Sequence, residues 1–88
     1  NVLAYAHSAK EKGGTGANEP MIWWIPYGKG RVFTTVMGHV GGNDTRSIRC
    51  VGFIAIMNRG TEWAATGKVT LPAPADFQKE NETRLIAE

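Results

Sequence analysis

The chain is poor in cysteine: Cys50 is the single thiol in 88 residues, so no disulfide forms within it and cysteine usage leaves the redox compartment open. Blocks of like charge are missing as well. Ten Lys and Arg against eight Asp and Glu give a net charge of +2, dispersed along the chain, which is unlike the concentrated basic footprint of a nucleic-acid binder. Long apolar runs are absent. The longest, around Val51 to Met57, contains Gly52 and ends at Asn58-Arg59, far short of the roughly 20 residues a membrane helix needs, so the chain reads as soluble with no membrane span. Neither Gly13-Gly14-Thr15-Gly16 nor Gly28-Lys29-Gly30 fits a dinucleotide or phosphate-loop template. There is no internal repeat and no initiator Met; the sequence opens directly on Val2-Leu3-Ala4-Tyr5-Ala6. A chain of this size buries only about 60% of its unfolded surface. It therefore reads as a fragment or processed piece of a larger domain.

What is present is organised. Val2 to His7 suits a short strand, ended by Ser8-Ala9-Lys10-Glu11-Lys12 and an irregular Gly-rich loop through Asn18. Pro20 then tends to start a strand. Met21 to Ile25 and Val32 to Met37 are β-rich runs joined by Pro26-Tyr27-Gly28-Lys29-Gly30-Arg31, a hairpin signal. Both runs carry large side chains at consecutive positions, which predicts a sheet covered on both faces. From Ser47 to Ala65, Ile48, Val51, Ile54 and Met57 recur at helical spacing, broadened by Cys50, Phe53 and Ile56. The spacing predicts one helix with Thr45 or Ser47 as N-cap, close packing or a break at Gly60, and a stop at Gly67. Val69-Thr70-Leu71 suits a short edge strand and Pro72 to Asp76 an extended run, with Phe77 to Glu88 expected to fray or join something further on.

Four pieces in order, Glu19-Pro20-Met21-Ile22-Trp23, Tyr27-Gly28-Lys29-Gly30-Arg31-Val32-Phe33, Gly38-His39, and Arg59-Gly60 with Trp63-Ala64-Ala65, resemble the C-terminal signature of the ThuA-like (trehalose-utilisation) family. The resemblance covers residues 2 to 67, and Lys68 to Pro72 resembles the tail that follows the domain in some members. It implies an α/β, flavodoxin-like (class I glutamine amidotransferase-like) domain, of which this chain is the C-terminal portion with a β-hairpin and a covering helix. Residues 1–67 are then the C-terminal part of the ThuA-like domain and residues 68–88 an extended tail, with the missing N-terminal part supplying the central parallel strands. In that superfamily a Cys-His-Glu triad does the chemistry, and His39 matches its late histidine. The acid departs: Gly41 stands where the amidotransferase pattern has Glu, and Val40 where many ThuA-like members have Asp.

His39 follows a strand and opens the Gly-rich stretch Gly38 to Asp44, where ligands collect in open α/β sheets. A neutral imidazole there can serve as a general base or as a metal ligand, and the structural alternative is a histidine that shapes the loop. His7 also ends a strand and is a candidate ligand-binding residue. Asp44 is a third candidate, orienting His39 or holding a hydroxylated ligand, although Asn43-Asp44-Thr45 equally reads as a turn into a helix cap. Glu19 could accept sugar hydroxyls or be a solvated loop residue. Cys50 falls on the apolar helix stripe and reads as an inert core thiol. Trp23, Trp24 and Trp63 read as core.

Two functions fit these residues. In one, a ThuA-like domain acts in carbohydrate metabolism, on trehalose or a related sugar, through a site at His39. In the other, a non-catalytic ligand-binding or interaction domain keeps the fold without the triad. A carbohydrate ligand and the missing N-terminal part are the expected partners. No metal is assigned, and cofactor use, compartment and homo-oligomer formation are left open.

Overall fold

The structure, a computed structural model, describes residues 1–87, so Glu88, the last residue of the expected tail, lies outside the described residues. They form two units, Asn1–Val36 and a second beginning at Met37. The architecture is mixed α/β: a three-stranded antiparallel sheet and helices.

The first unit is a meander of strands β1 (Val2–His7), β2 (Asn18–Tyr27) and β3 (Gly30–Thr35), in the order β1-β2-β3. Strand β1 falls where its sequence places it. The hairpin does too, but β2 begins two residues before Pro20, which pairs with Tyr5. Its turn is tight: Tyr27 pairs with Gly30, and Gly28 takes φ 58°, the positive value a first turn position of type II′ demands. Between β1 and β2, a 3-10 turn over Lys10–Lys12 opens a loop closed around Ser8, whose N–H donates to the Ala17 carbonyl (2.8 Å) and whose hydroxyl accepts the Thr15 N–H (3.1 Å).

Pairing sorts the sheet into two faces, because side chains alternate along a strand. Trp23 stands beside Val2 and Thr34, and Ile25 beside Val32, on one face; Ile22, Trp24, Phe33 and Thr35 share the other. Ile22 is buried, whereas Val2, Ile25, Tyr27 and Val32 are exposed. On both faces the middle of the hairpin, Met21, Trp23, Trp24, Phe33 and Thr34, is half-buried.

In the second unit the single helix expected over Ser47 to Ala65 is two: α1 (Arg46–Arg49) and α2 (Val51–Thr66). Cys50, between them, is extended at φ −67°, ψ 125°. The cause is tertiary. Cys50 bridges to Leu85, the Val51 N–H donates to the Arg84 carbonyl (2.8 Å), and the Ile86 N–H donates to the Arg49 carbonyl (2.8 Å). These bonds to the tail take the place of helical ones. Gly60 does not break α2; it is buried, consistent with close packing there, and Gly67 caps the end with its N–H on the Trp63 carbonyl (2.8 Å).

No strand forms at Val69-Thr70-Leu71. The Thr70 and Leu71 N–H groups donate to the Glu62 carboxylate of α2, at 2.6 and 3.1 Å, so a side chain replaces the strand partner. The tail is tied to the helices at both ends. Arg59 donates to the Leu71 carbonyl, and Arg49 donates to the Ile86 carbonyl at 3.0 Å.

Candidate functional site

His39 lies in the segment between β3 and α1, and its position is fixed by what comes just before it. Gly38 has φ 103°, a backbone that side-chain-bearing residues rarely adopt, and a Cβ there would come within 2.7 Å of the Phe53 ring. The tip of the Phe53 ring of α2 thus packs against the backbone that leads to the imidazole. His39 is exposed, and its Nε2 lies 3.4 Å from where a Cβ on Gly41 would be. The absence of a side chain at the position where the resemblance expects an acid leaves room for the ring. No hydrogen bond reaches the imidazole among the described residues.

Asp44 is placed close by in the chain but is committed elsewhere. The turn from Gly41 closes with the Asp44 N–H on the Gly41 carbonyl (3.0 Å). The Asp44 carboxylate then accepts three bonds from Arg46: N–H at 3.1 Å and Nε at 2.9 Å on Oδ1, and Nη2 at 2.8 Å on Oδ2. The bidentate Arg46 side chain, helped by its N–H, holds this carboxyl well below the usual carboxylate range, and Asp44 in turn raises the Arg46 guanidinium. A carboxylate engaged on both oxygens by its own neighbour does not orient His39.

The other two candidates belong to the first unit and diverge. His7 and Asn18 are cross-strand partners joined by a hydrogen bond in which Nδ1 donates to the Asn18 Oδ1 at 3.0 Å. Glu19, next along β2, therefore points to the opposite face. It is half-buried, and its Oε1 accepts the Thr15 hydroxyl at 2.9 Å. His7 and Glu19 do not converge on one ligand.

Two features escape a reading of the sequence. Cys50 is half-buried at the N-terminus of α2, preceding its apolar stripe. Burial pushes the thiol up, but the Phe53 N–H, the Gln78 amide and the Gly52 N–H together hold it below its ordinary value. Gln78 donates to Sγ at 3.5 Å from 28 residues away, a partner no local pattern reveals. The second is a groove of about 280 Å³ along α2, walled by Val51, Ile54, Ala55, Leu71, Pro74 and Ile86, with Asn58, Arg59 and Asp76 at its rim. None of the four sequence candidates lines it. The helix spacing and the Pro-rich run were its visible signals. Among the described residues no three His, Cys, Asp or Glu side chains gather as a metal site, and no helix is long and apolar enough to cross a membrane.

No protein-family model matches the chain, and no curated protein does. A solved structure does: a ThuA-like protein from Parabacteroides merdae ATCC 43184 superposes with a TM-score of 0.89 at 41% identity, over 97% of this chain. The chain spans 31% of that protein's length. Over nearly all of its own residues, in both sequence and backbone, this chain is similar to one part of a ThuA-like protein.

Proposed function

We propose that the chain is the C-terminal part of a ThuA-like domain, of flavodoxin-like (class I glutamine amidotransferase-like) architecture, that binds trehalose or a related sugar beside His39. The observation that carries this reading is the 41% identity over 97% of the chain to a ThuA-like protein. His39 supplies the chemistry: an exposed imidazole, held on the Gly38 backbone under Phe53 and without a hydrogen-bond partner among the described residues, is available to a ligand. Sugar hydroxyls donate to a neutral imidazole nitrogen and accept from its N–H. Residues 1–67 belong to the domain and residues 68–88 to its tail. The rest of the domain completes the site.

The arrangement at Asp44 and Gly41 favours a second reading, a binding domain that kept the fold and lost the triad. With Asp44 held by Arg46 and no side chain at Gly41, the imidazole lacks the acid partner that proton-transfer chemistry in a triad requires.

The test is His39→Asn in the full-length protein. Asn keeps a polar group but exchanges no proton near neutral pH. Calorimetry with monosaccharides and disaccharides should show binding lost while the thermal midpoint stays in place. A lowered midpoint with binding intact would make His39 a loop-shaping residue. If His39→Asn abolishes turnover but leaves binding, the catalytic reading is preferred over the second.

A further inference from the structure

The groove along α2 is built wholly from residues of the second unit, so its shape is set within that unit. One face of the helix lines it. Val51, Ile54, Ala55, Asn58 and Arg59 follow the i, i+3, i+4, i+7, i+8 spacing of a single stripe, aliphatic at its start and polar at its end. The tail supplies the other wall with Leu71, Pro72 and Pro74, and Asp76 follows on the same segment. The aliphatic part offers a ligand no donor: the Val51 N–H is bonded to the Arg84 carbonyl and the Ile54 N–H to the Cys50 carbonyl, and proline has no N–H.

The tail wall is fixed to the helix wall by the chain's own bonds, since the Leu71 N–H donates to the Glu62 carboxylate and Arg59 donates to the Leu71 carbonyl. A groove built in advance needs little ordering when a ligand enters. Its rim charges are not spent on each other. Arg59 makes that one bond through Nη1, and its other nitrogens reach no acceptor among the described residues. Glu62 feels the Arg59 charge, but its oxygens are committed to Thr70 and Leu71. The Asp76 carboxylate forms no ion pair or hydrogen bond among the described residues. A cation and an anion therefore share one apolar groove, each with capacity left for a ligand.

The geometry points to this groove as a site for a free aliphatic α-amino acid of about the size of leucine. Its side chain lies on Val51, Ile54 and Leu71, its carboxylate meets Arg59, and its ammonium meets Asp76. The volume of about 280 Å³ stands at the small end of ligand pockets, which run from about 300 to 1,000 Å³ and are mostly apolar with a few polar groups that fix orientation. Charge decides the class. An aliphatic acid would satisfy Arg59 but set a second carboxylate against Asp76, and an aliphatic amine would do the reverse; a zwitterion complements both. The site is independent of the sugar reading, because His39 is not among the residues of the groove.

Calorimetry on the full-length protein tests it with three probes: L-leucine, 4-methylpentanoate, which lacks the ammonium, and 3-methylbutylamine, which lacks the carboxylate. Leucine should bind, and each truncated probe should bind about three- to fivefold more weakly, the range for an ion pair at a solvated rim. Asp76→Asn should erase the preference for leucine over 4-methylpentanoate. Arg59→Gln, which keeps a donor for the Leu71 carbonyl, should erase the preference over the amine. Ala55→Leu should fill the groove and abolish binding of all three; should that variant fail to fold, the two rim variants still decide, because Asp76 is exposed and bonds to nothing among the described residues. Binding of 4-methylpentanoate as tight as that of leucine would make the groove a site for an aliphatic acid and overturn the assignment. So would a preference for leucine that survives both rim variants, or the absence of binding by all three probes.

Discussion

Replacing Gln78 by Ala should loosen the start of α2 and raise the Cys50 thiol together. A helix leaves its first N–H groups without internal partners, and here the first two have partners in the tail. The Val51 N–H donates to the Arg84 carbonyl, and the Gly52 N–H donates to Gln78 Oε1 at 2.9 Å. Cys50, at the N-cap, makes no oxygen cap, so Gln78 fills that role from 26 residues away. Loss of an N-cap costs about 1 kcal/mol, which corresponds to about fivefold faster hydrogen exchange at the Gly52 amide if exchange follows local opening. Removing the Gln78 amide also takes away one of the groups holding the thiol down, so the pH midpoint of Cys50 alkylation should move up. Gly52→Ala provides an internal control. Its Cβ would fall 2.8 Å from Gln78 Nε2 and 3.0 Å from Oε1, so it should evict the side chain and cancel much of the gain in helix propensity, which is up to about 1 kcal/mol. In the Gln78→Ala background nothing is left to evict, and the same change should slow exchange. Unchanged Gly52 exchange and an unchanged alkylation midpoint in Gln78→Ala would refute the idea that the tail caps the helix.

Gly38→Ala forces a Cβ into Phe53 on a strained backbone and should destabilise by about 1–3 kcal/mol in denaturant unfolding of the full-length protein, partly rescued by Phe53→Ala. Glu62 is held below its ordinary value chiefly by the Thr70 hydroxyl and the Leu71 N–H. A carboxylate lowered in the folded state contributes stability above its ordinary range and loses it as pH falls through the lowered value. Exchange at the Thr70 and Leu71 amides, corrected for intrinsic rates, should therefore accelerate on acidification below the ordinary carboxylate range, and Glu62→Gln should flatten that dependence. Arg46→Ala should return the Asp44 carboxyl toward its ordinary range in an NMR titration, since the guanidinium makes two of its three bonds and only the backbone N–H bond would remain.

The elements decided by local sequence were legible and those decided at a distance were not. Strand β1, the hairpin and α2 follow from β-branched and aromatic runs, the Gly28 turn and the three-residue spacing of Val51, Ile54 and Met57. The break at Cys50 was not, because backbone bonds from Arg84 and Ile86 decide it. Nor was the anchoring of the tail, whose partners Glu62, Gln78 and Arg49 have ordinary polar patterns in sequence. At the site, His39 could be named and Asp44 could be listed beside it, yet only coordinates show that Arg46 takes the carboxylate. The two-residue spacing of Asp44 and Arg46 is the sequence signal for that pair.

The central claim is that these residues are part of a larger domain, and the most direct measurement is a heat ramp on residues 1–88 alone, followed by circular dichroism with light scattering to fix the association state. Only Ile22, Val51 and Ala55 are buried apolar residues among those described, while sixteen large apolar ones are exposed. The account predicts a broad, weakly cooperative loss of signal, or association of the chain with itself. A sharp cooperative transition of a monomer would contradict it.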